Sequence, residues 1–277
     1  MGDFPDRYDG SLLANFGANA ADSQGVTLTS GAANVKGSWV QLVASTPFPV
    51  TGLHVYRVAA SLTGTAYHDD LMDIGVGATQ VVKIADIPYV GTDTVNFPAH
   101  HYYFPIAIKQ GEEISARFAS SDATETMDIV VIAESRGLKS SGGYSLSRTY
   151  GAVSGDSGGT QVDPGTTANT KGGSVPITTS TEFDIKALCV FQHAAGANGG
   201  LTDANFLMDV EVGAAASEVA IINNIGFLAD GSPDAMAPIF LGCFAVNIPA
   251  GSRVSANAQC TITGVDRLID VILIGFG

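Results

Sequence analysis

The segment GDSGG at residues 155–159 offers the clearest possibility of chemistry in this chain. In serine proteases of the chymotrypsin type the same five residues surround the nucleophile, which makes Ser157 a candidate for that role. Such a serine needs a histidine that precedes it in a segment like AAHC, and no such segment occurs before residue 155. The histidines of PAHHY at 98–102 lack that context. We therefore expect GDSGG to be a polar, glycine-rich loop without proteolytic activity.

A second group of polar residues is HDD at 68–70, followed by Asp73. His68, Asp69 and Asp70 carry imidazole and carboxylate groups that can hold a cation. Their spacing matches neither an EF-hand nor a zinc pattern, and a polar loop before a strand explains them with fewer assumptions. We keep these residues as candidates for a binding site, and we expect no metal and no other cofactor.

The segment HHYY at 100–103 is a third candidate. Side chains alternate between the two faces of a strand, so His100 and Tyr102 are predicted to share one face. An aromatic, hydrogen-bonding surface of this kind suits a sugar, and packing in a core or an interface explains the same pattern more simply. Trp39 has no aromatic counterpart in the second half of the chain and is interpreted as a core or rim residue.

Other enzymatic patterns are missing from the sequence. It shows no pair of acid and base of the kind that glycoside hydrolysis requires, and no glycine-rich phosphate loop between a strand and a helix. We therefore expect a protein that is not an enzyme.

The three cysteines, Cys189, Cys243 and Cys260, lie in apolar segments of the second half of the chain. Their number is odd, and no two of them form a C-x-x-C pair. Free cysteine is among the most frequently buried residue types. We expect three reduced, buried thiols.

The two halves of the chain repeat one another. LMDIGVGA at 71–78 returns as LMDVEVGA at 207–214, with six of the eight residues identical. Further pairs follow in the same order: ANVKG at 33–37 with ANTKG at 168–172, and FPIAIKQGEEISA at 104–116 with FAVNIPAGSRVSA at 244–256. Self-similarity of this kind indicates a duplicated structural unit. We predict two domains: residues 1–137, an N-terminal arm and the first copy, and residues 138–277, a loop and the second copy.

The GDSGG loop takes part in the repeat. FGANAADSQG at 16–25 aligns with YGAVSGDSGG at 150–159, so Ser157 corresponds to Ser23. The motif reads ADSQG in the first copy, and the loop opens the second unit ahead of its strands. Both observations argue against a nucleophile.

Short apolar segments separated by Gly, Pro, Asp and Asn dominate both copies, which is typical of β-strands. No helical periodicity extends over twelve or more residues. About eight strands per copy predict an all-β protein made of two tandem, duplicated β-sandwich domains of jelly-roll-like type.

Alternation predicts which side chains form the core. Met72, Ile74 and Val76 fall on one face of a strand, and Asp73 falls on the other. Asp209 repeats Asp73 in the second copy, and a carboxylate that supports a turn or meets solvent is the simplest interpretation of both. The last strands, DIVVIA and DVILIGFG, are apolar on both faces and need a cover from the sister unit or from another subunit.

Composition limits the possible partners. The 277 residues are 45% hydrophobic and only 14% charged, with a mean hydropathy of +0.24, so partner subunits are expected to cover part of the surface. The longest apolar run, IDVILIGFG, is too short for a membrane helix, and MGDFPDRYDGSLLANFG has no features of a secretory signal. Because 13 Lys and Arg face 27 Asp and Glu, the net charge of −14 repels nucleic acid. We expect no membrane and no nucleic acid among its partners.

The repeated combination of ANVKGSWVQLVASTPF, LMDIGVGA and FPIAIKQGEEISARFASS resembles a recurring β-sandwich module of virion proteins of tailed bacteriophages and of gene transfer agents. The resemblance covers almost the whole chain and concerns pattern, not an activity. It implies a virion component such as a capsid decoration protein, a head spike, a fibre base or a tail accessory protein. It also implies other virion proteins as partners, assembly in the bacterial cytoplasm and a homo-oligomer, with a trimer favoured.

Two alternatives stay open. A carbohydrate-binding, receptor-recognition module of a virion would expose aromatic side chains such as Tyr102 at a loop end. A double jelly-roll major capsid protein would form trimers that present six sandwiches. For a virion component, residues 1 to about 25, which are polar and rich in glycine, are predicted to act as an anchoring arm.

Overall fold

The computed structural model describes residues 12–18, 21, 24–61, 68–91, 100–136, 143–194, 204–229, 239–262 and 268–277. These residues form strands, turns and loops and include no helix, which confirms the all-β prediction. No helix that is long and apolar enough to cross a membrane occurs among them. The predicted anchoring arm falls largely outside the described residues.

Each half of the chain forms nine strands within the described residues. The first unit contains β1 (Leu12–Phe16), β2 (Val26–Thr29), β3 (Val40–Val43), β4 (Gly52–Ser61), β5 (His68–Val76), β6 (Val81–Gly91), β7 (His100–Phe104), β8 (Ile114–Ser120) and β9 (Thr126–Ser135). The second unit contains β10 (Ser147–Tyr150), β11 (Thr160–Val162), β12 (Val175–Thr178), β13 (Ile185–Ala194), β14 (Ala204–Val212), β15 (Val219–Ala229), β16 (Ile239–Ile248), β17 (Val254–Cys260) and β18 (Ile269–Phe276).

Each unit is one long antiparallel hairpin folded over on itself. In the first unit β5 pairs with β6, β4 with β7, β3 with β8 and β2 with β9. Lateral pairing then gives two sheets, in the orders β1-β9-β4-β7 and β3-β8-β5-β6. The second unit repeats them as β10-β18-β13-β16 and β12-β17-β14-β15. This is the order of a jelly roll, so the predicted tandem of jelly-roll-like sandwiches is confirmed.

The prediction of about eight strands per unit is one short. In the first unit β1 and β2 are separate segments that both pair with β9, and β10 and β11 both pair with β18 in the second. In the second unit the GDSGG loop lies between these two strands.

The interior of each sandwich is apolar, as alternation predicted. Met72, Ile74 and Val76 are buried in the first unit, and Met208 and Val210 are buried in the second. Trp39 is half-buried at the rim, where the Arg117 guanidinium lies 4.4 Å above its ring.

ANVKG and LMDIGVGA, two of the segments that repeat between the units, are joined by an ion pair and a hydrogen bond. Lys36 Nζ lies 2.8 Å from Asp73 Oδ1 and donates to the Leu71 carbonyl. The same carboxylate oxygen accepts the backbone N–H of Asp86, whose φ of 52° is uncommon outside glycine. Asp73 therefore stabilises the bulge that interrupts the register of β5 and β6.

The second unit contains the same arrangement. Lys171 Nζ lies 2.8 Å from Asp209 Oδ1, which accepts the N–H of Asn224 with its φ of 53°. The interpretation of Asp73 and Asp209 as carboxylates that support local backbone agrees with this geometry. Asp73 points away from the core as expected, but it is buried beneath Lys36.

The first unit lies on the outer face of the larger sheet of the second unit. Tyr102 and Phe104 of β7 contact Phe191 of β13, with ring centroids 5.2 and 6.3 Å apart. Phe104 also contacts Phe276, at 6.2 Å. Because every residue of β18 is buried, the predicted burial of this strand on both faces is confirmed, with the first unit as its cover. The equivalent strand β9 is more open, since Val130 and Ile132 on its outer face are only half-buried.

The cysteines correct the prediction of three reduced thiols. Cys189 and Cys243 lie opposite each other on β13 and β16 and form a disulfide, with Cα atoms 4.0 Å apart. Cys260 is free and buried, as expected. The pairing depends on the register of two strands that are 54 residues apart in sequence, which Cys spacing does not reveal.

Candidate functional site

Ser157 is placed as a structural residue. Its side chain is only 1% exposed, and its hydroxyl donates to Asn34 Oδ1 of the first unit at 2.9 Å. The loop around it is held by hydrogen bonds from the N–H of Gly158 to Asp156 and from the N–H of Gly159 to Asp270. A serine that is buried and bonded to an amide lacks the access and the adjacent base of an activated nucleophile.

The HDD segment does not form one cluster. His68 begins β5, and its side chain lies outside the described residues. Asp69 is half-buried, and burial together with the charge of Asp156 raises its pKa to about 7. Asp70 points into the sandwich, where burial raises its pKa to about 7. Asp69 and Asp70 therefore point to opposite faces of β5, and the described residues contain no group of metal ligands around them.

Asp70 belongs to a buried polar cluster at one end of the first sandwich. Asp70 Oδ2 lies 3.9 Å from Arg57 Nη1, and the Arg57 guanidinium lies 5.7 Å from the centre of the Tyr89 ring. His100 packs edge-on against Tyr89 at 6.1 Å, and burial lowers its pKa to about 3. The imidazole is therefore neutral at physiological pH.

The second unit replaces this cluster with apolar rings. Asp70 and Tyr89 face each other in the register of β5 and β6, and Phe206 and Phe227 do so in β14 and β15. The two phenylalanine rings stack with centroids 5.1 Å apart. Among the described residues, the pair of Arg57 and Asp70 therefore has no equivalent in the second unit, where Gln192 and Phe206 occupy the same positions.

His100 and Tyr102 share one face, as predicted, but both side chains are buried. Tyr102 donates to the Pro88 carbonyl and contacts Phe240 of the second unit, at 5.6 Å between rings. Neither residue is available to a large ligand. The accessible side chains of the HHYY segment are those of His101 and Tyr103, on the other face.

His101 and Tyr103 form part of a row of rings on the outer face of the larger sheet. His101 stacks on Tyr56 at 4.4 Å and on His54 at 5.1 Å, and His54 Nδ1 lies 2.9 Å from His101 Nε2. Tyr103 lies 4.8 Å from His54 and donates to Glu134 at 2.7 Å. We call this surface, with Val130 and Ile132 at its centre, the first-unit face.

The first-unit face combines aromatic and ionisable groups. Partial burial and the neighbouring His54 lower the pKa of His101. Burial and the hydrogen bond to Glu134 raise the pKa of Tyr103 to about 12, while the Arg136 guanidinium lies 5.5 Å from its ring centre. The face therefore presents aromatic rings beside the carboxyl group of Glu134 and the guanidinium of Arg136.

The first-unit face has an equivalent in the second unit that is covered. His54 and Tyr103 are directly opposite each other in β4 and β7, where Cys189 and Cys243 are opposite in β13 and β16. The next pair, Tyr56 with His101, corresponds to Phe191 with Phe240. The shift of one residue between these pairs arises from a bulge at Gly242, whose φ is 122°.

A second pair of equivalent surfaces is also covered in one unit and open in the other, but here the first unit carries the covered surface. Phe104 and Ile106 are fully buried where the first unit meets the second, whereas their counterparts Phe244 and Val246 are only half-buried. Beside them Ile221 of β15 is exposed. We call the surface formed by Val219, Ile221, Phe244 and Val246 the second-unit edge.

Comparison with known proteins assigns the chain to no family. The sequence matches no protein-family profile and no curated protein at a significant level. The tandem CBM22-1 and CBM22-2 domains at the N-terminus of Paenibacillus barcinonensis Xyn10C align with 97% of this chain and 92% of that chain, at 13% identity and a TM-score of 0.28. A chain of the T13 IBDV viral particle aligns over 96% of this chain and 65% of that chain, at 12% identity and a TM-score of 0.20. At these TM-scores neither similarity bears on a particular function.

Proposed function

We propose that the protein is a non-enzymatic structural protein of a bacteriophage particle, such as a capsid decoration or head-spike protein, and that it works as a homo-oligomer. The observation that supports this most directly is the unequal cover of equivalent surfaces. The second unit has its outer sheet face covered and its edge open. The first unit has its edge covered and its outer sheet face open.

The remaining features agree with a structural role. The motifs that repeat most closely, with Lys36 and Lys171, hold backbone bulges in place. Ser157 connects the two units through Asn34. A chain with few charges and with half-exposed apolar strands gains stability when neighbouring subunits cover that surface. In this proposal the partners are other copies of the chain and other proteins of the virion.

The test is cryo-electron microscopy of native particles from the source of the gene. We expect paired jelly-roll density, at many copies per particle, that accommodates the whole chain. Light scattering of the purified chain should give a mass that is a multiple of 28.4 kDa. Intact particles without this density would contradict the virion role, and a chain that stays monomeric would contradict the homo-oligomer.

Glycan binding is a second candidate function, favoured by the exposed rings of the first-unit face. Tyr56 and His101 provide stacked rings, and Glu134 and Arg136 provide hydrogen-bonding groups beside them. A glycan array would test this, with Tyr56→Ala expected to abolish any signal and Leu146→Ala, at an exposed site elsewhere, expected to preserve it. An array without any binder would leave only the structural role.

A further inference from the structure

We propose that the second-unit edge of one copy docks on the first-unit face of a second copy, and that this contact repeats between chains the contact that joins the two units within a chain. The proposal rests on the homo-oligomer of the proposed function and specifies which surfaces build it. Three observations lead to it: the equivalence of the surfaces, the details of the internal contact, and the side chains that occupy the equivalent positions.

The equivalence follows from strand register. Leu13 and Asn15 pair with Glu134 and Ile132 in the first unit. Ser147 and Thr149 pair with Phe276 and Ile274 at the same places in the second unit. In the same way Ile272 and Ile274 correspond to Val130 and Ile132. The covered face of the second unit therefore has a position-by-position counterpart in the open first-unit face.

The internal contact is formed by β6 and β7 of the first unit. The hydroxyl of Ser147 donates to the Lys83 carbonyl, and that of Thr149 donates to the Ala85 carbonyl. Further along the interface, Phe104 lies on Phe191. The interface thus has a polar border, where β6 meets β10, and an aromatic centre.

The equivalent positions are complementary between two copies. Lys83 is replaced by Ile221 in the second unit, and Ser147 is replaced by Leu13 in the first unit. Ile221 is 38% exposed and Leu13 is 68% exposed, so two apolar side chains occupy the positions where, within the chain, Lys83 Nζ donates to the Ser145 carbonyl and the Ser147 hydroxyl donates to the Lys83 carbonyl.

The neighbouring positions follow the same rule. Ala85 is replaced by Asn223 and Thr149 by Asn15, and both asparagines are exposed. At the centre Phe244 takes the place of Phe104 and would lie on Tyr56, which takes the place of Phe191. Ile221 and Phe244 of the second-unit edge would therefore meet the apolar Leu13 and the aromatic Tyr56 of the second copy.

The contact is heterologous, because each copy contributes a different surface to each of its two neighbours. Such contacts form closed rings when the rotation per copy divides a full turn, and filaments when it does not. It follows that no copy inside a closed ring keeps either surface open. A glycan could then reach the first-unit face only on an incomplete assembly.

The experiment uses the full-length chain and light scattering over a concentration series. Ile221→Asp and Leu13→Asp each place a carboxylate at the apolar contact, and each is expected to weaken assembly at least about tenfold. Val35→Asp is the matched control, since Val35 is an exposed apolar residue, at 52%, outside both surfaces. Circular dichroism establishes that each variant is folded.

Cross-linking gives a second readout that does not depend on weakening the assembly. A variant with both Ile221→Cys and Leu13→Cys should form disulfide-linked multimers under mild oxidation, whereas a mixture of the two single variants should form linked dimers only. Oligomers that survive both aspartate variants and yield no cross-link would overturn the docking geometry and leave the structural role intact. A wild-type chain that is monomeric throughout would contradict the homo-oligomer itself.

Discussion

The Ser157 hydroxyl donates to the side-chain oxygen of Asn34 across the boundary between the two jelly rolls, at 2.9 Å. Both residues have positive φ, 59° for Ser157 and 61° for Asn34, which few residues other than glycine adopt. Each unit therefore presents a strained turn to the other, and one hydrogen bond joins the two turns. The motif that resembles a protease nucleophile is a connection between domains.

The first prediction concerns this connection. Ser157→Ala removes the hydrogen bond and keeps the unfavourable φ, so we expect a loss of about 1 to 2 kcal/mol in the free energy of unfolding. Ser157→Gly removes the bond and relieves the backbone, and should lose less. Denaturant titration measures both variants. A fluorophosphonate probe should leave Ser157 of the wild-type protein unlabelled. Rapid labelling would instead support the interpretation of Ser157 as a nucleophile.

The second prediction compares the two lysines of the repeated motif. Lys36 lies within 2.9 Å of both Asp73 and Asp86, whereas Lys171 pairs with Asp209 and has Asn224 at the position that corresponds to Asp86. Lys36→Met leaves two carboxylates with fewer partners and should lower stability by about 2 to 3 kcal/mol, against about 1 kcal/mol for Lys171→Met. Denaturant titration of the two variants side by side decides this. Equal losses would show that Asp86 adds nothing.

The third prediction is a pH dependence that originates at Asp69. Its pKa is about 7 in the folded chain against an ordinary value of 3.8, so the folded state binds more protons between these values. The associated stability is fully present below about pH 4 and is lost as the pH rises through about 7. Asp69→Asn should be more stable than wild type at pH 8 by about 1 to 2 kcal/mol, after allowance for solvent screening.

Thermal unfolding between pH 4 and pH 8 measures this effect. At pH 4 the carboxyl is protonated and resembles the amide, so the two proteins should unfold at the same temperature. A constant difference over the whole range would assign the effect to packing and not to charge.

The fourth prediction concerns the buried polar cluster of the first unit, whose side chains are replaced by those at the equivalent positions of the second unit. Asp70→Ala alone leaves the buried Arg57 guanidinium without the carboxyl group beside it and should lower the free energy of unfolding by about 3 kcal/mol. The triple variant Arg57→Gln, Asp70→Phe and Tyr89→Phe copies Gln192, Phe206 and Phe227, and should recover most of that loss because stacked rings replace a costly ion pair. Calorimetry compares the two variants. A triple variant as unstable as Asp70→Ala would mean that the charged pair is required by its surroundings.

The fifth prediction concerns the disulfide. Alkylation of the unfolded, unreduced protein should modify one cysteine, Cys260, and alkylation after reduction should modify all three. The Cys189–Cys243 bond closes a segment of 54 residues, so its removal by paired alanine substitutions should lower stability by about 2 to 4 kcal/mol. Mass spectrometry gives the thiol count. Three modified cysteines without reduction would support the reduced state that the sequence suggested.

Much of the fold could be predicted from the sequence because it depends on local pattern. The repetition of LMDIGVGA as LMDVEVGA predicts the duplication. The alternation of Met72, Ile74 and Val76 predicts a strand and the face that this strand turns to the core. The buried second face of β18 was also readable, since a run such as DVILIGFG has no polar side. The identity of its cover was not, because nothing local distinguishes a sister unit from another subunit.

The surfaces depend on register, which local pattern does not contain. His101 is exposed and Tyr103 is half-buried, whereas His100 and Tyr102 are buried on the face of β7 that is shared with the core residue Val55. Alternation placed His100 and Tyr102 on one face of the strand but could not tell that this face is the buried one. Cys189 meets Cys243 for the same reason, through a bulge that shifts β16 by one residue. A comparison of the two copies, position by position, was the available signal for His54 and Tyr56.

The nested hairpins also set an order of events during synthesis. Thr27 of β2 bonds Asp128 of β9, 101 residues later, whereas β5 and β6 are joined by a short turn. Because loop closure becomes more costly with length, each jelly roll should zip outward from its central hairpin and close last at its own two ends. The first roll is thus complete once β9 leaves the ribosome, well before β18 is made. The strand β18, in which every residue is buried in the folded chain, then emerges beside a surface that is already folded to receive it.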